Sequence, residues 1–164
     1  MTDRLLAAIS RVFALVGVGV AALVAALVVV SIVGRATMAR PISGDVELTQ
    51  FGVALCISLA LPWCQWRGAN IIVDFFTQRL GERRISVLDG LGALLMAAMY
   101  LLLAWRSGAG ALSVREAFEA TMILDLPMWW VYASLAPGLA LAGLIALRQA
   151  AYLLRHRRPW VAPA

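Results

Sequence analysis

The amino-acid sequence predicts an all-α integral membrane protein with four transmembrane helices and both termini in the cytoplasm. Four long apolar stretches, separated by short arginine-bearing loops, account for most of the 164 residues. Each stretch is close to the ~20 residues with which a helix crosses a ~30 Å hydrocarbon layer. Hydrophobic residues make up 63% of the chain, where soluble domains have about 45–50%. This composition excludes a water-soluble fold, and four crossings leave no room for a separate soluble catalytic domain.

The apolar stretches set the approximate limits of the four helices, which we assign to a single domain over 1–164. The predicted helices cover about 12–34, 48–66, 87–112 and 127–147. The first resembles a secretory signal in having Arg4 and Arg11 before an apolar stretch. Its apolar core is longer than the ~7–15 residues of a cleaved signal, so we expect it to be retained.

The fourth stretch contains a proline near its middle. Pro137 cannot donate a backbone hydrogen bond to the carbonyl of Ala133, so a kink is expected there. The hydroxyl of Ser134 is a candidate donor to that carbonyl. Pro127 is predicted in the first turn of the same helix, where its missing N–H costs nothing.

The arginines predict the orientation of the chain in the membrane. If the loops alternate between compartments, ten of the 14 basic residues share one side: Arg4, Arg11, Arg67, Arg79, Arg83, Arg84, Arg148, Arg155, Arg157 and Arg158. The other side holds Arg35, Arg40, Arg106 and Arg115. Because short cytoplasmic loops are enriched in arginine and lysine, both termini are predicted to face the cytoplasm, with 148–164 as a basic tail.

The segment between the second and third stretches predicts a short amphipathic helix over 70–80. Its apolar residues cover about half of a helical wheel: Ile71, Ile72, Val73, Phe75, Phe76 and Leu80. Such a helix lies in the membrane interface, where Arg79, Arg83 and Arg84 reach the headgroups of anionic lipids. The basic tail has a similar anchoring role, and its cluster is too small to indicate nucleic-acid binding.

The sequence carries few groups able to do chemistry. The centres of the predicted helices hold no ionisable residue. Arg106 is the single ambiguous case, because the apolar pattern does not show whether the third helix ends before or after it. The only histidine is His156, so bis-histidine haem ligation within the chain is impossible. Cys56 and Cys64 are eight residues apart and are expected to act as small hydrophobes. We therefore expect no catalytic residue, cofactor or metal site.

Polar residues cluster at the ends of the second and fourth helices. Glu47 precedes the second helix in RPISGDVELTQFG, where an acid complements the helix dipole. Arg67, Asn70 and Asp74 follow that helix in LPWCQWRGANIIVDFF, and Asp125 precedes the fourth helix in ATMILDLPMWWVY.

Together these features resemble the small membrane subunit of the tripartite ATP-independent periplasmic (TRAP) transporters, the DctQ type. The acid before the family's second helix corresponds to Glu47. Its Arg/Gly-x-His-Ile-x-Val-Asp element is similar to Arg67, Gly68, Ile71, Val73 and Asp74, with Asn70 where the family often has histidine. Its Leu-x-Leu-Pro-x-Trp entry into the last helix is similar to Leu124, Leu126, Pro127 and Trp129 or Trp130.

The resemblance implies a subunit that depends on partners. In this family a large DctM-type membrane subunit carries the substrate and sodium sites and moves by an elevator-like mechanism. A periplasmic solute-binding protein delivers the solute, commonly an organic acid, and the small subunit is part of the fixed scaffold. On this basis we expect the following residues to contact the partner or to hold helix ends: Glu47, Arg67, Asn70, Asp74, Arg106 and Asp125.

Two other functions remain open from the residues themselves. A membrane enzyme or redox protein would use Cys56 and Cys64, although about two helical turns separate them and disfavour a disulfide within one helix. A small transporter or channel would build its pore by self-assembly, and the lack of charge at the predicted helix centres argues against it.

Overall fold

The computed structural model describes residues 2–38, 42–68, 81–156 and 160, and it contains four helices. They are α1 (Thr2–Met38), α2 (Asp45–Arg67), α3 (Glu82–Glu116) and α4 (Trp129–His156). All four are long and apolar enough to cross a membrane, and no strand is present in the described ranges. The predicted all-α class with four membrane-spanning helices is therefore confirmed. The predicted interfacial helix over 70–80 lies outside the described residues.

The helices extend beyond the apolar stretches of the sequence. Helix α3 continues to Glu116, so Arg106 lies inside a helix and not in a loop. Helix α4 begins at Trp129, two positions later than the first-turn position predicted for Pro127. Pro127 instead forms an isolated antiparallel bridge with Ala120, and its carbonyl accepts the N–H of Trp130 at 3.2 Å.

The four helices pack as an open row in the order α1, α2, α4, α3. Helix α2 contacts α1 and α4, and α4 also contacts α3, whereas α1 and α3 do not meet anywhere in the described residues. Neighbouring contacts show that α2 and α4 run parallel, while α1 and α3 run in the opposite direction. An ion pair of 2.5 Å between Asp3 and Arg148 places the start of α1 beside the end of α4.

We call the end of the row that holds Asp3 and His156 the termini end, and the opposite end, where α1 joins α2 and α3 joins α4, the loop end. Both described chain ends thus share one end of the row. The arginine distribution predicts that this end is cytoplasmic.

Small residues let the helices approach closely, as is usual where helices associate in lipid. A Cβ placed on Gly17 of α1 would lie 3.2 Å from the carbonyl oxygen of Cys56 in α2. Gly138 of α4 faces the backbone of Ser58 even more closely. Between α3 and α4 the buried contact is made by Ala97, Tyr100, Leu139, Ala142 and Ala146.

The outer helices of the row expose most of their apolar side chains. Leu23 of α1 is 72% exposed, and Trp105 of α3 is 74% exposed. In a membrane these surfaces contact lipid or another protein, because water is absent from the hydrocarbon layer. The row therefore presents wide apolar faces on both of its outer helices.

Candidate functional site

Glu47 fixes the connection between α3 and α4. One oxygen of its carboxylate accepts the backbone N–H of Ile123 at 2.9 Å, and the other accepts that of Leu124 at 3.0 Å. A carboxylate that accepts backbone N–H groups forms hydrogen bonds about twice as strong as neutral ones. Glu47 thereby joins the first turn of α2 to residues 117–128, which we call the α3–α4 loop.

The α3–α4 loop has a defined backbone conformation. Thr121 accepts the N–H of Leu126 with its hydroxyl at 3.1 Å and donates its own N–H to the carbonyl of Leu126 at 2.9 Å. Phe118 and Asp125 both have φ of 53°, in the left-handed region. Asp tolerates this region, but for the bulky Phe118 it costs of order 1–3 kcal/mol and persists only where surrounding contacts hold the backbone. Here the N–H of Phe118 donates to the carbonyl of Arg115, and the next N–H, that of Glu119, donates to the carbonyl of Val114, both at 3.2 Å.

A second polar contact at the loop end joins α1 to α2. The hydroxyl of Ser31 donates to the carboxylate of Asp45, and the guanidinium of Arg35 lies 3.3 Å from the same carboxylate. Asp45 also occupies the first turn of α2, where its charge complements the helix dipole. Both acids of the first turn of α2 are thus engaged within the chain.

Near Pro137 of α4, the contact between α2 and α4 includes a polar side chain. The hydroxyl of Ser58 donates to the carbonyl of Leu135 at 2.9 Å, with that of Ser134 at 3.4 Å. The sequence-based expectation for Ser134 was wrong, because its hydroxyl donates to the carbonyl of Val131 and not to that of Ala133. The neighbouring helix α2 therefore supplies a donor close to Pro137, which lies inside the continuous helix α4.

Two glutamines connect α2 and α4 nearer the termini end. The amide nitrogen of Gln65 donates to the side-chain oxygen of Gln149 at 2.5 Å, and that of Gln149 donates to the backbone carbonyl of Gln65 at 2.6 Å. Both residues are almost fully buried. Their polar atoms satisfy each other in an apolar setting, so they fix the register of the two parallel helices.

Aromatic residues pack against one another at the termini end of the row. Trp160 donates its indole N–H to the carbonyl of Trp66 at 3.2 Å, and the two rings pack edge to face. Tyr152 also packs edge-on against Trp160 and stacks on His156. A cavity of about 300 Å³ opens beside them, lined by Asp3, Arg148, Ala151, Tyr152, Arg155, His156 and Trp160.

Arg106 lies in the part of α3 that packs beside the first half of α4. Along α3, Leu101 packs over Gly143 of α4, and Gly110 lies against the ring of Tyr132. Arg106 lies between these two contacts, level with the segment around Pro137. The side chain is exposed, and it has no hydrogen bond, ion pair or ring contact within the described residues. The sequence left open whether the third helix ends before or after Arg106, and α3 continues past it to Glu116.

The remaining predicted site residues are spread along the row. Arg67 ends α2 at the termini end, and its guanidinium lies 5.9 Å from the ring centre of Trp63. Asp125 is exposed in the α3–α4 loop, one residue from the amide bound by Glu47. Asn70 and Asp74 lie outside the described residues. The structure brings Glu47 and Asp125 to the same end and leaves Arg67 at the opposite one.

The sequence analysis missed the uncharged polar residues that connect the helices. Six polar residues are buried in the part of the chain that the structure describes, and all of them are serine or glutamine: Ser10, Ser31, Ser58, Gln65, Ser86 and Gln149. A search confined to ionisable groups passes over them. Glutamine within an apolar stretch is itself a usable signal, since a buried amide in lipid requires a partner.

The described residues contain no cluster of three or more His, Cys, Asp or Glu side chains that could hold a metal ion. Cys56 and Cys64 are both free thiols, on one helix.

Comparison with known proteins gives one match. The family model for the tripartite ATP-independent periplasmic transporters, DctQ component, matches residues 24–156, which is more than half of the chain. The matched range includes Glu47, Gln65, Arg106 and Gln149. No curated protein and no solved structure matches the chain.

Proposed function

The chain belongs to the DctQ component family of the tripartite ATP-independent periplasmic transporters, and we propose that it is the scaffold subunit beside a large DctM-type membrane subunit. It is thus a small component of a transporter, and the resemblance seen in the sequence is confirmed. We further propose that the assembly imports an organic acid by sodium coupling, after delivery by a periplasmic solute-binding protein.

The observation that carries the scaffold proposal is the open row of helices. A transporter that works alone must enclose a solute path between its helices. Here the polar groups between α2 and α4, Ser58, Gln65 and Gln149, are bonded to one another or to backbone. They are consequently not available to a solute. The exposed apolar surfaces of α1 and α3 instead favour packing against a larger membrane protein.

We propose that the α3–α4 loop contacts a partner outside the hydrocarbon layer. Phe118 is 91% exposed, and Met122 is fully exposed on the same loop. Large apolar side chains on a loop with a fixed backbone are a feature of protein–protein contact surfaces. Glu47 would serve this contact indirectly, by holding the loop in place.

We propose that the termini end faces the cytoplasm of a bacterial inner membrane. Arg4, Arg11, Arg83, Arg84 and Arg155 all lie near this end of the row. Such a concentration of arginine matches the positive-inside bias and favours contact with anionic lipids.

Reconstitution tests the proposed function directly. The chain would be purified alone and together with its co-purifying large subunit, and each preparation placed in liposomes with an inward sodium gradient. Uptake of a radiolabelled organic acid, added with the cognate solute-binding protein, should require the large subunit and should fall strongly when this chain is left out. Liposomes with the large subunit alone are the matched control.

Solute-specific flux through the chain alone would contradict the proposal. It would favour the alternative of a self-assembled transporter or channel. Uptake of equal rate with and without this chain would also contradict the scaffold role, because a required scaffold cannot be dispensable.

A further inference from the structure

We infer that the face of α3 that carries Arg106 is the docking face for the large subunit, and that this partner presents a carboxylate to Arg106 inside the hydrocarbon layer. The inference rests on the proposed function, since it needs a membrane partner. It goes further in naming the helix face, the depth and the chemistry of the contact.

The depth follows from the packing of α3 on α4. Arg106 is bracketed by the Leu101 contact with Gly143 and the Gly110 contact with Tyr132. It therefore lies beside the middle of the apolar stretch of α4. Helix α3 rises about 15 Å from Arg106 to its end at Glu116, at ~1.5 Å per residue. The apolar stretch of this helix ends at about residue 112, so Arg106 lies about 9 Å inside that end.

The face around Arg106 is open and otherwise apolar. Residues three, four and seven positions earlier share the face of a helical residue. For Arg106 these are Leu103, Leu102 and Met99, which are 45%, 55% and 49% exposed. Ala109, one turn later, is also exposed. Helix α4 is the only helix that α3 contacts within the described residues, so this face is free in the isolated chain.

An arginine at this depth requires a partner. Charged side chains in the hydrocarbon layer are costly, and they pair with opposite charges or polar groups of the protein interior. Within the described residues Arg106 has no such partner. Helical side chains lean toward the N-terminus of their helix, so the side chain of Arg106 leans away from the nearer end of the apolar stretch and is poorly placed to extend to the headgroups there. A carboxylate matches the guanidinium best, because it accepts two parallel N–H bonds.

A second copy of this chain does not supply that carboxylate. The acids of the first turn of α2 are Asp45 and Glu47, at the loop end, and both are engaged within the chain. Glu116, Glu119 and Asp125 also lie at or beyond the loop end, while Asp3 and Asp89 lie toward the termini end. No described acid lies at the level of Arg106. The complementary charge therefore points to a different membrane protein.

The first test replaces Arg106 and follows two quantities. Arg106→Leu removes the charge and should lower the ratio of large subunit to this chain in a mild-detergent preparation by roughly tenfold, because the facing carboxylate is left unpaired. The yield and thermal midpoint of the chain purified alone should be unchanged or higher. Arg106→Lys keeps the charge and should recover part of the ratio. Arg84→Leu is the matched control, an exposed arginine at the termini end, and should change the ratio less than twofold.

The second test locates the contact. A photo-reactive amino acid at Ala109 keeps Arg106 intact and, on irradiation of native membranes, should form a covalent adduct with the large subunit. Mass spectrometry should place the adduct in a membrane-spanning segment that contains Asp or Glu. The same amino acid at Leu23 on α1 is the control for non-specific capture of neighbouring proteins.

The outcomes separate this inference from the proposed function. If the large subunit co-purifies but Arg106→Leu and Arg84→Leu give the same ratio, the docking face is wrong and the scaffold role survives. Adducts at Ala109 that contain lipid alone overturn the inference in the same way. Adducts with a second copy of this chain overturn it in favour of self-assembly. If no large membrane protein co-purifies with the wild-type chain, the proposed function itself fails.

Discussion

The contact between α2 and α4 and the open face of α3 differ in whether their polar side chains have partners within the chain. The polar side chains of α2 have partners at successive levels. Glu47 bonds the α3–α4 loop at the loop end, Ser58 bonds α4 in the middle, and Gln65 bonds α4 nearer the termini end. On the open face of α3, Arg106 is exposed and unpaired within the described residues. The α2–α4 contact is complete in the described chain itself, whereas we propose that another protein completes the α3 face.

The largest expected effect on stability comes from adding a methyl group where α2 and α4 pack most closely. In Gly138→Ala the new methyl group meets the backbone and hydroxyl of Ser58, so the two helices must separate. Overpacking of this kind should lower the free energy of unfolding by about 3 kcal/mol. The thermal midpoint of the purified chain in mild detergent is the measurement.

Gly92→Ala is the control, because an added Cβ there meets nothing within 4 Å. It should leave stability unchanged or slightly raise it, since alanine favours helix over glycine. Equal midpoints for the two variants would show that the helices are not packed as closely as the α2–α4 contact requires.

Glu47→Gln should have the next largest effect. The substitution replaces one accepting oxygen by an NH₂ group, which faces a backbone N–H of the α3–α4 loop and cannot accept it. We expect a loss of about 2 kcal/mol and faster proteolysis within residues 117–128. Glu116→Gln, an exposed substitution at the end of α3, should be cleaved like the wild type. Unchanged cleavage of the Glu47 variant would mean that the carboxylate does not hold the loop.

The glutamine pair predicts a smaller effect that depends on how it is broken. Gln65→Leu leaves the side-chain oxygen of Gln149 without its donor and should cost about 1 kcal/mol. Replacing both glutamines by leucine removes both buried amides and should cost less than the single substitution. A double-mutant cycle on unfolding free energies measures the difference. Strictly additive losses would contradict the paired arrangement.

The smallest effect is expected from the cysteines. Both thiols are free on α2, and neither lies in a described cluster of metal ligands. The double variant Cys56→Ser, Cys64→Ser should retain transport by the reconstituted complex and change stability by less than about 1 kcal/mol. Loss of transport with normal assembly would instead support the redox alternative.

The sequence was sufficient for the fold class but not for the pairing of helices. Apolar stretches near the membrane thickness predicted the four helices, because hydrophobic length is a local property. The open row depends on which faces carry small residues such as Gly17 and Gly138, and helix periodicity alone does not assign those faces to neighbours. The same limit left the end of the third helix open near Arg106, whose level follows from the register of α3 against α4.

The candidate site was predictable in part. Glu47 was identified from its position before a helix, and its contact with the α3–α4 loop joins residues far apart in sequence. The Gln65–Gln149 pair was not predicted because glutamine is not ionisable, although a glutamine in an apolar stretch is visible in the sequence. No sequence pattern shows that two such residues meet.

The most direct test of the account is the composition of the complex that this chain forms in its own membrane. The wild-type chain would be purified in mild detergent from its native host, and the co-purifying proteins identified and counted by mass spectrometry. We predict a stoichiometric, highly apolar partner with many more membrane helices than this chain. Recovery of the chain alone, as a stable homo-oligomer, would contradict the account and favour a self-assembled pore.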